Sequence, residues 1–232
     1  VGARVALVGP EQREAIAAAW GLDATAPERF LLWARHALSG DLGDSITFNA
    51  PVAQVIADRV PASLALVGAA FVLSFALGTA LGLIAAAMHG RWPDRIIRGV
   101  AVVLAASPGF WIGLLLIAVF AVGLGWLPPC CAAPPGMVAA EAGLAARLPH
   151  LILPVIAVSV VGISPLILHT RQRLVAFLES PAAAHLAAHG ARPLGLAFGP
   201  GLRHALGPAI TVHLAGAGEL FGGSVLAEAV FA

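Results

Sequence analysis

The 232-residue chain is 59% hydrophobic and only 11% charged, with a mean hydropathy of +0.92, whereas a soluble domain carries about a quarter charged residues. This composition excludes an ordinary soluble domain and predicts an integral membrane protein. Every basic residue is an arginine, and the lack of lysine in the sequence excludes a P-loop nucleotide site and a Schiff-base lysine within this chain.

Residues 1–60 are the most charged part of the chain and do not have the pattern of a membrane span. Helix-start and helix-stop residues predict one helix over Pro10–Trp20 and a second over Pro27–Leu38. Gly40–Ser45 has the composition of a turn, and a third short helix is predicted over Val52–Arg59. Because each helix has one apolar face, this segment is predicted to be a helical region outside the membrane core.

Four apolar segments within residues 61–232 are predicted to be membrane spans: Ala62–Met88, Gly99–Leu127, Leu151–Leu168 and Ala205–Ala227. The first is uncharged throughout and long enough to cross about 30 Å of hydrocarbon. The second contains Ser107, Pro108 and Gly109 in sequence, which predicts a kink or break. Glycine and proline are frequent in these segments, as in tightly packed polytopic helix bundles.

Arginine placement orients the predicted spans. The loop after the first span and the segment over residues 169–204 hold seven arginines against Asp94 and Glu179: Arg91, Arg95, Arg98, Arg171, Arg173, Arg192 and Arg203. The positive-inside rule makes both loops cytoplasmic, so residues 1–60 and the loop over 128–150 are extracytoplasmic. An extracytoplasmic start predicts a further span before Val1.

The cytoplasmic stretch Ser180–Pro208 begins with the signals of a short, well-terminated helix. Ser180 is a suitable N-cap, Pro181 suits the first helical position, and Gly190 suits the left-handed position that ends a helix. Such a helix between two spans is a protruding element that a soluble partner can bind and move. The alternative is an ordinary interhelical loop.

Few residues have the chemistry of a functional site, and the sequence contains no zinc-protease, nucleophile-elbow or dinucleotide-binding motif. Glu219 lies inside the last predicted span, where an ionisable group should face a pathway or a polar partner. His213 lies six positions earlier, roughly 120° around a continuous helix, so one face cannot present both side chains squarely. A packing role between helices is favoured over metal binding for this histidine. His185 and His189 have a spacing that can chelate, but no third ligand type is near, so no metal site is predicted.

Seven stretches, in order along nearly the whole chain, resemble the membrane subunit of bacterial ABC importers for dipeptides, oligopeptides and nickel, the binding-protein-dependent permease family. They are GDLGDSI (Gly40–Ile46), PVAQVIADRVPASLAL (Pro51–Leu66), GRWPDRIIR (Gly90–Arg98), SPGFWIGLLL (Ser107–Leu116), LGWLPP (Leu124–Pro129), LPHLILPVIA (Leu148–Ala157) and GGSVLAEAVF (Gly222–Phe231). The resemblance implies an all-α polytopic helix bundle like the type I ABC importer permeases, with four of six spans in this segment.

The same family carries a cytoplasmic helix-turn-helix in which a proline follows a glycine by about eighteen residues, as Pro208 follows Gly190 here. Ala184 stands at a position that is acidic in the family pattern. The resemblance implies that seven residues insert into a groove on an ATPase subunit: Ala184, His185, Leu186, Ala187, Ala188, His189 and Gly190. It also implies that Glu228, which stands at an acidic position of the family pattern, contacts the binding protein or braces an outer gate. From their place inside the last span, Glu219 and His213 are predicted to line the translocation pathway, with a helix-packing hydrogen bond as the alternative for Glu219.

The function implied by the resemblance is a multi-pass permease subunit of the bacterial inner membrane that imports di- or oligopeptides and is not itself an enzyme. Its implied partners are two cytoplasmic ATPase subunits that bind ATP and Mg, a homologous second permease, an extracytoplasmic substrate-binding protein and the lipid bilayer. No cofactor and no nucleic acid are expected on this chain. The alternatives are a nickel-chelate permease of the same family, an intramembrane hydrolase built on Ser224 and His213, and a non-transporting membrane scaffold.

Overall fold

The computed structural model describes residues 25–45, 47–130 and 143–231 of the chain. The described residues are mostly helical, which confirms the predicted fold class. They fall into two units that are described separately, one ending at Pro61 and one beginning at Ala62. The helix predicted over Pro10–Trp20 lies outside the described residues.

The first unit contains helix α1 (Ala26–Leu38), which confirms the second predicted helix. The backbone N–H and the hydroxyl of Thr25 both donate to the Glu28 carboxylate, at 2.9 and 2.8 Å. These bonds close the first turn and hold the pKa of Glu28 below its usual value. Strands β1 (Asp44–Ser45) and β2 (Ala50–Pro51) then pair antiparallel as a short hairpin in the predicted turn region.

Helix α2 (Val52–Ala87) follows as one element of 36 residues. The short helix predicted over Val52–Arg59 is therefore wrong as a separate element, because it runs without interruption into the first predicted span. Pro61 lies inside α2 and removes one hydrogen bond of the ladder. The carbonyl that loses its donor belongs to Ala57, four residues earlier, and Ala57 is exposed.

The second predicted span is broken, as its sequence indicated. Helix α3 (Trp92–Ala106) and helix α4 (Gly109–Leu116), which continues as a π-helical segment over Ile117–Gly123, meet at an angle of 107°. Ser107, at the break, has an extended backbone (φ −91°, ψ 132°), the conformation favoured before a proline. Pro108 has no N–H to continue the helix.

Helix α5 (Leu144–Leu178) is longer than the span predicted over Leu151–Leu168, and it contacts α3, α4 and both helices near the end of the chain. Three prolines, Pro149, Pro154 and Pro165, lie within it without breaking it. Prolines are tolerated inside membrane helices because neighbouring helices satisfy the backbone groups that they leave unpaired. The largest buried side chains of the described core come mostly from α5: Leu153, Val158, Leu166, Ile167 and Leu174.

The last part of the chain forms helices α6 (Pro181–Ala188), α7 (Pro193–Leu196), α8 (Leu202–Ala215) and α9 (Ala217–Phe231). The last predicted span is therefore two helices, joined at Gly216, and the pair that includes α7 and α8 bends by 49° against α9. Within the described residues, α2 and α5 are each long and apolar enough to cross a membrane. The number of candidate spans rises to four if each bent pair is one span.

Helices α2 and α5 approach closely because two glycines of α2 face α5. A β-carbon placed on Gly78 would lie 2.6 Å from the β-carbon of Leu166, and one placed on Gly82 would lie 2.7 Å from that of Thr170. Contacts this short do not occur between real side chains. Small residues at this spacing let two membrane helices pack backbone against backbone.

Replacing Gly78 by alanine is expected to lower the stability of the bundle by about 1–3 kcal/mol, because the new methyl group meets the backbone and β-carbon of α5. The matched control is Gly68→Ala in the same helix, where a β-carbon meets nothing within 4 Å. The measurement is thermal unfolding of the full-length protein in detergent. Equal melting temperatures for the two variants would contradict the proposed helix contact.

Candidate functional site

Helix α6 has the ends that its sequence predicted. The Ser180 hydroxyl accepts a hydrogen bond from the backbone N–H of Ala183 at 3.3 Å, and Pro181 occupies the first turn. At the other end Gly190 has φ +91°, and its N–H donates to the carbonyl of Ala187 at 2.9 Å. Both orphan ends of this two-turn helix are thus satisfied locally, which makes it a defined element and not an irregular loop.

Most of α6 is exposed to its surroundings. Ala183 is buried against the rest of the unit, whereas the residues implied to contact an ATPase are all exposed: Ala184, His185, Leu186, Ala187, Ala188, His189 and Gly190. The rings of His185 and His189 lie 4.4 Å apart, and the described residues contain no group of three or more side chains that could hold a metal ion. The geometry of α6 is therefore that of a protruding helix.

The segment after α6 turns back into the bundle. Its helical course is interrupted at Gly199, with φ −97° and ψ −107°, and Pro208 lies within α8. Gly201 is buried against the side chain of Leu174 in α5, and a β-carbon on Gly201 would also lie 2.6 Å from the carbonyl oxygen of Leu196. Close packing at Gly201 thus anchors the segment that follows α6 against α5.

A buried ion pair between α3 and α5 was not found from the sequence. Asp94, in the first turn of α3, is 1% exposed, and the guanidinium of Arg171 in α5 donates to both of its carboxylate oxygens. The Nη2–Oδ2 distance is 2.8 Å, and the backbone N–H of Gly90 donates to the same Oδ2 at 2.9 Å. Arg171 also lies 3.2 Å from Nδ1 of His89. This network joins the loop after α2, the start of α3 and the last part of α5.

Glu219 borders a cavity of about 370 Å³. It lies in the first turn of α9, and its side chain is accessible. The opposite wall includes Ser107 and Gly109, on either side of the break between α3 and α4, and the wall from α5 includes Ser164. The structure therefore places the predicted acidic residue at a helix break, next to a space that a ligand can enter.

His213 does not share that cavity. It is 3% exposed, its Nε2 lies 2.9 Å from the carbonyl oxygen of Phe71, and its ring is stacked 3.9 Å from the Phe71 ring. The hydroxyl of Ser74 lies 3.4 Å from the same Nε2. His213 thus joins α8 to α2 as a packing residue, the role that its sequence position favoured, and it does not line the cavity beside Glu219.

Two further predicted residues lie on α9. Glu228 is exposed, near the end of the described chain. Ser224 is buried, and its hydroxyl donates to the carbonyl of Phe221 in its own helix at 2.9 Å. Since His213 is hydrogen-bonded to Phe71 instead, these two residues do not form the nucleophile and base that an intramembrane hydrolase requires.

The chain belongs to the family of binding-protein-dependent transport system inner membrane components, whose pattern matches residues 78–232. It is 34% identical over 211 residues to the glutathione transport system permease protein GsiC of Escherichia coli O6:H1. It is 32% identical over the same length to the protein of that name from Salmonella typhi and to the probable peptide ABC transporter permease protein y4tP of Sinorhizobium fredii.

These alignments cover 91% of this chain and 65–66% of the relatives, so the chain spans about two thirds of their length. They confirm the family resemblance drawn from the seven sequence stretches. The chain is thus an inner-membrane component with several membrane-spanning helices, and its family is one of transport permeases and not of enzymes.

Proposed function

We propose that this chain is the core of a permease subunit that imports short peptides, glutathione-like peptides among them, using ATP hydrolysed by separate subunits. The observation that carries the proposal is helix α6. It is capped at both ends, exposed from Ala184 to Gly190, and placed in the chain between α5 and α8, with α7 separating it from α8. A soluble motor that binds α6 gains a mechanical connection to the bundle.

The partners follow from the same arrangement and from the family. Two cytoplasmic ATPase subunits bind ATP and Mg, and one of them receives α6 in a surface groove. A second, homologous permease completes the pathway, and an extracytoplasmic binding protein delivers the substrate. The named substrates of the relatives are glutathione and peptides, which favours a peptide over the nickel chelate.

The route through the bundle is proposed to pass Glu219, because the cavity beside it lies at a break in each of two helix pairs. Discontinuous helices commonly form the substrate sites of transporters, and their breaks are where alternating access bends the bundle. His213 is assigned to the packing of α8 on α2, and Glu228 to the outer end of the pathway.

The test is uptake by proteoliposomes that contain the full-length protein, its second permease and its ATPase subunits, with the binding protein outside. ATP-dependent uptake of a labelled dipeptide or of glutathione is expected, and an ATPase subunit without its catalytic lysine should abolish it. Uptake of a nickel chelate without peptide uptake, or no ATP-dependent uptake of any of the three, would overturn the proposal.

A further inference from the structure

The cavity beside Glu219 has a composition that selects one kind of ligand. Among the described residues, Glu219 is the one charged residue that lines this cavity, and no basic side chain lines it. The Glu219 carboxylate makes no hydrogen bond or ion pair with any described residue. An ionisable group in a membrane bundle is costly unless it meets a partner, so this carboxylate is available to a cation.

Glu219 lies at the start of a helix, next to the cavity. It is in the first turn of α9, three residues after Gly216, and its backbone N–H is bonded to the Gly216 carbonyl at 3.0 Å. Its side chain is exposed and borders the cavity. The carboxylate is therefore in position to act as a counter-ion for a positively charged group.

The other polar groups of the wall act as hydrogen-bond acceptors. The Ser107 hydroxyl donates to the carbonyl of Val103 at 2.8 Å, and the Ser164 hydroxyl donates to that of Val160 at 3.5 Å. Each hydroxyl has directed its hydrogen to its own helix, which leaves the oxygen lone pairs as its free capacity.

The size of the cavity favours an organic cation over a bare metal ion as its ligand. The cavity of about 370 Å³ falls within the range of small-molecule sites. The remaining wall residues, such as Leu104 and Val161, present aliphatic surface, and Glu219 is not part of any group of three metal-binding side chains among the described residues. An ammonium group has three N–H donors for such acceptors, and the carbon chain attached to it suits the aliphatic wall.

We propose that this cavity is a subsite for the free, protonated amino group of the transported peptide, with the Glu219 carboxylate as its counter-ion. The inference rests on the proposed function, since it names the part of the substrate that the pathway recognises. Substrates whose amino group is blocked lose this interaction. The subsite therefore distinguishes peptides with a free amine from neutral or acylated ones of the same size.

The test compares uptake of a dipeptide with that of its N-acetylated form in the reconstituted full transporter. Glu219→Gln is expected to lower uptake of the free dipeptide about tenfold or more and to leave uptake of the acetylated form unchanged. The wild-type and variant transporters receive substrate from the same binding protein. The preference of that binding protein therefore cancels in the ratio of wild-type uptake to variant uptake. Asp58→Asn is the control, because it removes one carboxylate charge from an exposed position outside the cavity wall.

Glu219→Asp, which keeps the charge, is expected to retain the preference for the free amine, and thermal unfolding of both Glu219 variants reports on folding. An equal loss of uptake for both dipeptides in Glu219→Gln would overturn the subsite and leave the permease function in place. A loss of the same size in Asp58→Asn would overturn it as well. Failure of the wild type to take up either dipeptide would overturn the proposed function, and with it the subsite.

Discussion

Replacing Asp94 by alanine is expected to lower the free energy of unfolding by about 3–5 kcal/mol, a cost typical of breaking a buried ion pair from one side. The guanidinium of Arg171, whose side chain is only 14% exposed, would remain buried without its partner. The N–H of Gly90 would lose its acceptor in the same variant. The measurement is thermal unfolding of the full-length protein in detergent.

The control for this prediction is Glu179→Ala, which removes an exposed acidic residue near the same end of α5. It should leave the melting temperature almost unchanged. The double variant Asp94→Leu with Arg171→Met should recover much of the loss, because replacing both charges by apolar groups leaves none unpaired. If Asp94→Ala melted at the same temperature as Glu179→Ala, the ion pair would have no structural role.

Replacing Leu186 by aspartate is expected to abolish co-purification of the ATPase subunits and to lower ATP-dependent uptake by at least about tenfold. Leu186 is the largest apolar side chain of α6 and is 36% exposed. It therefore has room to enter an apolar groove on a partner, where a carboxylate would be desolvated without a counter-charge. Because the side chain is on the surface, the stability of the isolated protein should not change.

The matched control is Leu38→Asp, the same substitution at the end of α1, where the leucine is 90% exposed. This residue lies in the predicted extracytoplasmic region, so the variant should keep its ATPase subunits. Co-purification that survives in Leu186→Asp, or that is lost equally in Leu38→Asp, would contradict a specific contact at α6.

Local signals in the sequence predicted the two ends of α6 and the break between α3 and α4 correctly. Ser180, Pro181 and Gly190 act through bonds within a few residues of themselves, and Pro108 acts by lacking an N–H. Such effects can be read from a short window of sequence. The continuation of α2 through Pro61 could not be read in this way, because a proline inside a helix is tolerated or not according to what surrounds its unpaired carbonyl.

Contacts between residues that are far apart in the chain could not be predicted from the sequence. Asp94 and Arg171 are 77 positions apart, and His213 and the Phe71 carbonyl are 142 apart. Arginines in the loops were interpreted only through the positive-inside rule, which counts charges and does not pair them. One signal was present in the sequence, because Asp94 is the one acidic residue in the stretch GRWPDRIIR. A carboxylate that is buried needs a basic partner.

Sequence position separated His213 from Glu219 correctly, since an angle of roughly 120° around one straight helix keeps the two side chains off a single face. The division of this segment into α8 and α9 at Gly216 was not predicted, because glycine in a membrane span is compatible with tight packing as well as with a bend. The sequence therefore identified Glu219 as a candidate but not the cavity beside it.

The central claim is that α6 is the contact with the ATPase, and crosslinking in intact cells tests it most directly. A photoreactive amino acid would replace Leu186 in the full-length protein, with the same substitution at Leu38 as the control position. The account predicts a crosslink from position 186 to a cytoplasmic ATPase subunit and none from position 38. Crosslinks from position 186 only to lipid, or to the same proteins as position 38, would contradict it.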